Sequence, residues 1–250
     1  MKKYSDFKKE ATMNFTHRFV NLIILILILP TSSIAQSGIQ KISAHIFTRQ
    51  AENGYKASLE GDIYYSADGD MVSYFSSPKN YIVVTNSKGE MRIYNPQENT
   101  VIQLQNNLLS SNITPFYYFL TGKTDDMGLR NAGFHIIETK FDKSLKITLW
   151  KASQISGKDP ISYVKLVHQG NNPIYMDYEN AGKNIIRKVY YYNYIDLNGV
   201  DFPRTFTEIL FQKMDSVITK TEYSELKINE QANNSMFGFK IPSNAKLITQ

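Results

Sequence analysis

The sequence predicts a mainly β protein, a single antiparallel sheet of about 11 to 12 strands with two helices. Alternating apolar and polar runs, separated by short clusters of Gly, Asn, Asp or Pro, recur from Tyr55 onward, as in strands joined by hairpins. The 17 Tyr and 14 Phe residues, against a single Trp, suit a pleated and half-buried surface. No helix between these runs is long enough for a parallel crossover, which favours antiparallel pairing in one domain.

The strand runs follow one another with short connections. They are predicted at 55–67, 70–78, 80–86, 89–96, 100–105, 133–140, 144–152, 161–169, 173–180, 184–197, 203–212 and 216–229, with a short strand in the tail at 237–248.

An N-terminal amphipathic helix is predicted at 37–54. Ile39, Ile42 and Ile46 recur at helical spacing, Ser37 can cap the first turn, and Gly54 can end the last one.

A second, short aromatic helix is predicted at PFYYFL, residues 115–120. Thr114 is its expected cap, Pro115 occupies the first helical position, and Gly122 ends it. A short helix without a polar face must be covered. It is either a plug over one end of the core or a lid over an apolar cavity.

The N terminus predicts export. Residues 1–35 contain an uncharged apolar run from Leu22 to Leu29 and the small residues of a cleavage site, and the signal is already complete from Met13, an alternative start. Cleavage is expected near Ala35–Gln36, which leaves 36–250 as one domain in the periplasm. The apolar run is short for a stable membrane span.

Composition excludes several functions. The chain has 28 basic and 23 acidic residues, but five of the basic and two of the acidic residues precede Gln36. The predicted mature chain therefore has a net charge of only +2, which does not favour nucleic-acid binding, because that function needs an excess of clustered basic residues. It has no cysteine, so no disulfide or lipid attachment is possible.

No catalytic signature stands out. His45, His135 and His168 lack partners at a metal-ligand spacing, so neither a metal nor a cofactor is expected. Asp177 and Glu179 fall on one face of a strand, the arrangement a glycosidase would need, but one pair among so many carboxylates is weak support for an enzyme.

The order of elements resembles the LolA/LolB family of periplasmic lipoprotein carriers, and is most similar to LolA-like outer-membrane lipoprotein-sorting proteins. Four stretches carry the likeness over most of 38–250: AHIFTRQ (44–50), similar to a helical family segment; the hairpin pair at 77–103; NITPFYYFL (112–120); and the ending FGFKIPSNAKLI (237–248).

The resemblance implies an unclosed antiparallel β-barrel whose concave apolar face is covered by the two helices. In the family this face holds the acyl chains of a lipoprotein between an inner-membrane transporter and an outer-membrane receptor. Acyl chains need apolar area, because each buried CH₂ contributes roughly 0.8 kcal/mol.

The chain departs from the family in three places. The family's lid-latching arginine is replaced near Ala67 and Asp68, its tryptophan is missing from GEMRIY (89–94), and the hairpin at 192–209 is longer. These changes concern the cargo and partners rather than the fold.

The leading hypothesis is therefore a non-enzymatic, monomeric carrier of lipoprotein acyl chains or another lipid. The alternatives are an envelope module that holds a protein partner, and a hydrolase that uses Asp177 and Glu179. Residues expected to line the apolar cavity are Phe47, Leu59, Tyr74, Val83, Ile93, Ile102, Phe116, Phe119, Leu120, Ile147, Trp150 and Met176.

Overall fold

The computed structural model describes residues 38–154, 161–212 and 215–248, and these form one 14-stranded sheet. The predicted signal segment lies outside the described residues. The strands are β1 Lys41–Glu52, β2 Tyr55–Ser66, β3 Met71–Ser77, β4 Tyr81–Thr85, β5 Glu90–Asn95, β6 Thr100–Gln105, β7 Phe134–Asp142, β8 Leu145–Ala152, β9 Ile161–Gln169, β10 Asn172–Asn180, β11 Ile185–Asp196, β12 Asp201–Phe211, β13 Ser216–Ile228 and β14 Lys246–Ile248.

The strands lie in the order β14-β6-β5-β4-β3-β2-β1-β13-β12-β11-β10-β9-β8-β7. Neighbours are antiparallel except for β14, which runs parallel to β6. Since β14 and β7 are the two ends of this order, the sheet is not closed into a barrel. The predicted mainly β, antiparallel and unclosed architecture is confirmed, including the long hairpin of β11 and β12.

Helical structure is sparse. Among the described residues one α-helix, α1, spans Pro115–Leu120, and 3-10 turns occupy Asn107–Leu109, Ser111–Ile113, Asn229–Ala232 and Ser235–Gly238. None of the described helices is long and apolar enough to span a lipid bilayer.

The predicted N-terminal helix is wrong, because this segment is β1, a central strand paired with β2 and β13. Ile42 and Ile46 are four positions apart, as on one face of a helix, but they also alternate with Ala44 on one face of a strand, and all three are buried. Pairing on both edges gives the backbone two ladders of hydrogen bonds. The 44–50 likeness to a helical family segment fails for the same reason.

The sheet has two differently covered faces. We call the side on which α1 packs the helix face; it carries Ile42 and Tyr65 from the centre of the sheet. The opposite side, the tail face, carries Val72, Ile82 and Tyr94, over which the C-terminal segment packs. Residues directly opposite one another in the ladders share a face, so the register assigns every strand residue to one of the two.

The C-terminal segment seals the tail face of β2 to β6. Met236, Phe239 and Ile241 pack against the buried cluster there, and the Phe237 ring lies 5.5 Å from the Tyr64 ring. The segment ends in β14, as predicted.

His45 forms a cross-strand ion pair on the tail face. Its Nδ1 lies 3.0 Å from Asp62 Oδ1, and its Nε2 lies 3.2 Å from Glu60 Oε1. The hydrogen bond to Asp62 raises the pKa of His45 above its ordinary value of 6.5, and Glu60 contributes in the same direction.

We expect the imidazole of His45 to titrate above pH 6.5 in an NMR pH titration, and Asp62→Asn to bring its midpoint down. Because the folded-state pKa is the higher one, the stabilisation from this pair is present below about pH 6.5 and is lost as the pH rises through the folded-state pKa. An unchanged midpoint in Asp62→Asn would show that the carboxylate does not control this histidine.

Candidate functional site

Helix α1 begins and ends where its sequence predicts. Thr114 Oγ1 accepts a hydrogen bond from Tyr117 N, Pro115 occupies the first turn, where its missing N–H costs nothing, and Gly122 follows the helix with a φ of 67°. The short aromatic helix is confirmed.

The two phenylalanines of α1 fill the centre of the helix face. The Phe116 ring lies 5.9 Å from Tyr65 and 5.4 Å from Phe202. Those two residues belong to β2 and β12, three strand spacings apart, which would be about 14 Å in a flat sheet. The sheet therefore curves around α1, and the helix face is its concave side.

Phe119 packs against a second group of rings from β11 and β12. Its ring lies 5.7 Å from Tyr191, 6.0 Å from Tyr194 and 5.8 Å from Phe202. Asn193, whose φ is 57°, forms an irregularity between the two tyrosines, and this places both on the helix face. At its centre, the concave face is plugged by α1 rather than open.

Residues 107–133, which we call the cover segment, are held to the sheet at both ends. Near the first end, Ser110 Oγ donates to Ser87 O at 2.8 Å and Ser111 Oγ donates to Gly69 O. Near the other end, His168 Nε2 lies 2.8 Å from Thr124 O. These bonds fix the cover segment against the rest of the protein at two separate points.

The His168 anchor requires a proton on Nε2 of the imidazole. The ring is 3% exposed, and burial lowers the pKa of His168. Since a carbonyl oxygen only accepts, Nε2 must carry the proton and donate it to Thr124. The histidine that the sequence assigned to a strand thus fixes the cover segment.

Beside α1, the cover segment leaves a cavity of about 380 Å³ on the helix face. This volume lies in the range of small-molecule sites, which are mostly apolar with a few convergent polar groups. The cavity is lined by Ile113, Pro115, Tyr118, Met127, Met176, Tyr178, Arg187, Val189, Tyr191, Phe206 and Glu208.

One ion pair lies in this otherwise mostly apolar lining. Arg187 Nε is 2.7 Å from Glu208 Oε1, and the guanidinium lies 4.8 Å from the centre of the Tyr178 ring. Burial raises the pKa of Tyr178 and Tyr191, so both hydroxyls stay neutral near pH 7. The cavity therefore combines apolar walls with one balanced pair of charges.

The structure places nine of the twelve predicted cavity residues on the helix face. Phe116, Phe119, Trp150 and Met176 are buried there, and Leu120 packs against them. Only Met176 lines the cavity beside α1. The remaining four, which lie on the helix face of β2, β4, β5 and β6 and are partly buried, are Leu59, Val83, Ile93 and Ile102. Ligand contact by any of them stays a prediction.

For three residues the predicted orientation is wrong. Tyr74 lies on the tail face and packs with the C-terminal segment. Phe47 and Ile147 share that face, as the ladder register shows. Alternation gives each strand two faces, and the sequence alone does not say which one is covered.

Of the two carboxylates proposed for a hydrolase, Asp177 is closed to a substrate, whereas Glu179 is partly exposed. Asp177 and Glu179 do share the tail face of β10, but the Asp177 side chain is 0% exposed and its Oδ2 lies 3.0 Å from Lys165 Nζ. In the described part of the chain, no group of three or more His, Asp or Glu residues is placed to hold a metal ion.

Sequence analysis missed Arg187 and Glu208, the charged residues of the cavity. Both stand in long strands among other polar residues, and their proximity arises from the pairing of β11 with β12. Each of them is a charged residue at a position where the alternation of the strand predicts an inward-facing side chain, and this pattern could have identified them.

Comparison with known proteins supports the fold. No protein-family model matches the chain, and no curated protein matches its sequence. Among solved structures, a LolA superfamily protein from Nitrosomonas europaea is 10% identical, with a TM-score of 0.53 over 76% of this chain and 87% of that one.

Two further structures are similar. A domain assigned to an outer membrane lipoprotein-sorting protein from Vibrio parahaemolyticus is 11% identical, with a TM-score of 0.55 over 80% of this chain and 90% of that one. A DUF1329 family protein from Desulfovibrio piger is 12% identical, with a TM-score of 0.54 and the same coverage. The similarity of fold over most of each chain shows that this chain has the LolA-like fold.

Proposed function

We propose that this chain is a periplasmic, non-enzymatic carrier that binds the acyl chains of a lipoprotein, or another amphiphile, under the cover segment. The cavity of about 380 Å³ beside α1 carries this proposal. The LolA-like fold supports it, since one structure of this fold is assigned to outer membrane lipoprotein sorting. The predicted signal segment, with cleavage near Ala35–Gln36, supports export of residues 36–250.

In this proposal, α1 is both plug and lid. Phe116 and Phe119 fill the centre of the concave face when no cargo is bound, which keeps apolar surface away from water. Displacing α1 would join the cavity to the space that these rings occupy, and a longer acyl chain would then fit. The carrier would take cargo from an inner-membrane transporter and pass it to an outer-membrane receptor as a monomer.

Native mass spectrometry of residues 36–250, purified from a periplasmic extract, is expected to show bound masses that match acyl chains. Ile113→Trp should abolish them, because Ile113 lines the cavity and is 49% exposed, so an indole can fill the space without repacking the core. Leu108→Trp is the matched control, since Leu108 is also on the cover segment but away from the cavity, and should keep the bound masses.

The double change Phe116→Asp with Phe119→Asp should also abolish binding, because it places two carboxylates in the apolar space that the acyl chain would occupy. A thermal melt of each variant separates loss of binding from loss of folding. A clean apo mass with no uptake of added fatty acid or lipopeptide would contradict the carrier.

That outcome would favour the alternative, an envelope module that holds a protein partner. One observation suits it: β7 is an edge strand that exposes Ile136, Ile137 and Phe141. An extended segment of a partner could pair with the free backbone of this edge.

A further inference from the structure

A groove of about 500 Å³ lies on the part of the tail face that the C-terminal segment does not cover. It is formed by the ends of β1, β2 and β13, near the turn that joins β1 to β2. Phe47 and Ile218 are apolar residues of its lining, and Ile218 is 42% exposed. Phe211, on the same face of β12, is 40% exposed. An exposed apolar surface of this kind indicates contact with another molecule or a membrane.

The charges around this groove are mainly basic. Its described lining contains Arg49, Lys56 and Lys220 and no acidic residue. Glu222 lies beside it, with one carboxylate oxygen 2.5 Å from Arg49 Nη2 and the other 2.9 Å from Lys220 Nζ. Arg49 and Lys220 therefore share one carboxylate. The exposed Lys56 forms no ion pair in the described part of the chain, so the groove keeps a positive charge.

The strand register extends this pattern across five strands. One row of paired residues runs from β11 through β12, β13 and β1 to β2, and it consists of Lys188, Ile209, Ile218, Ala51 and Lys56. Apolar residues occupy the middle of the row and a lysine stands at each end. The two lysines are four strand spacings apart, about 19 Å along the sheet. We call the groove together with this row the basic patch.

The basic patch fits the surface of an anionic lipid bilayer. Its positive charges are too widely spaced for one small anion to contact them all, whereas a bilayer presents many phosphate groups side by side. Basic side chains are attracted to such a surface, and apolar side chains between them can enter the head-group region. Tyr55, adjacent to Lys56 in sequence, is 83% exposed, and tyrosine is a residue type enriched at membrane–water interfaces.

We propose that the basic patch docks this protein on anionic phospholipid bilayers, with Lys56 and Lys188 near the phosphates and Ile218 in the head-group region. This inference goes beyond the proposed function, because it concerns the face of the sheet opposite the cavity. Consecutive strand residues point to opposite faces, so Arg187 lines the cavity while Lys188 belongs to the basic patch. Docking would hold the cavity one sheet thickness from the lipid and leave the cover segment free to open.

Co-sedimentation with vesicles tests the docking. The protein, purified from a periplasmic extract, should bind vesicles of equal parts phosphatidylglycerol and phosphatidylcholine but not vesicles of phosphatidylcholine alone, and added salt should weaken the binding. Lys56→Gln combined with Lys188→Gln should weaken it about 25-fold, because each basic residue near an anionic surface contributes about fivefold.

Lys79→Gln combined with Lys143→Gln is the matched control. Both lysines are exposed and lie outside the basic patch, in the turns that follow β3 and β7, so this variant loses the same two charges. It should bind the vesicles as the unaltered protein does. An equal loss of binding in the two variants would show that net charge alone is responsible, and would overturn the assignment to the basic patch.

Ile218→Trp reports directly on contact with the head-group region. Its emission should move to shorter wavelength when anionic vesicles are added, while Trp150, the single native tryptophan, is 1% exposed and gives a constant background. Phe141→Trp, on the exposed edge strand β7, should show no such change. The same response in both variants, or in neither, would contradict docking through the basic patch.

Ile113→Trp, which fills the cavity, separates docking from cargo binding and should leave vesicle binding unchanged. If it abolishes vesicle binding, lipid enters the cavity and the basic patch is not the docking surface. Failure of the unaltered protein to bind either kind of vesicle, or equal binding to both, would overturn the docking and leave the carrier function standing. Retention on polyglutamate instead of vesicles, lost in the Lys56 and Lys188 variant, would assign the basic patch to an acidic protein and also overturn the proposal.

Discussion

Replacing Phe116 with alanine is expected to lower the free energy of unfolding by about 4 kcal/mol, in the range observed when a buried phenylalanine is truncated. The Phe116 side chain is 2% exposed and packs against Tyr65, Phe202 and Tyr223, which come from three different strands. Its removal leaves a void where α1 joins both halves of the sheet, and rings from separate strands cannot collapse into it without moving the backbone.

Urea denaturation measures this loss, and Phe141→Ala is the control. Phe141 is 76% exposed on the edge strand β7, so its removal should change the free energy of unfolding by less than about 0.5 kcal/mol. A loss below about 1 kcal/mol for Phe116→Ala would show that α1 does not pack on the sheet in solution, since it falls well under the cost of truncating a buried ring.

Changing Gly61 to alanine is expected to destabilise the protein by about 3 kcal/mol, at the upper end of the cost of overpacking. A Cβ atom at this position would lie 2.1 Å from Tyr74 O and 2.8 Å from Phe75 Cα, and both neighbours are backbone. Gly61 sits at the irregularity in the pairing of β2 with β3, where the two strands approach closely. Relief of the clash would require the strands to separate.

Gly238→Ala is the matched control for Gly61→Ala. No atom lies within 4 Å of the position that its Cβ would take, so the same substitution should cost less than about 0.5 kcal/mol. If both variants unfold at the same urea concentration as the unaltered protein, the close approach of β2 and β3 at Gly61 is not maintained in solution.

Local features of the fold could be predicted because they depend on neighbouring residues. The bounds of α1 follow from Thr114, Pro115 and Gly122, and the strand positions follow from alternation and turn residues. The N-terminal segment was mispredicted because Ile42 and Ile46 fit both a helical and an alternating pattern. Pairing with β13, far away in sequence, decided in favour of the strand.

The candidate site was predicted only in part. Phe116 and Phe119 are unambiguous, since a helix without a polar face has to be buried. Phe47, Tyr74 and Ile147 were placed on the wrong face, because each position depends on which side of the sheet another segment covers.

By itself the sequence determined an antiparallel β protein with a short, buried aromatic helix, since strand period, turn chemistry and helix caps are local properties. Only the tertiary structure decided which face α1 covers, how His168 fixes the cover segment, and that Arg187 and Glu208 meet in the cavity. Those features are contacts between residues distant in sequence, whose proximity is set by the register and curvature of the whole sheet.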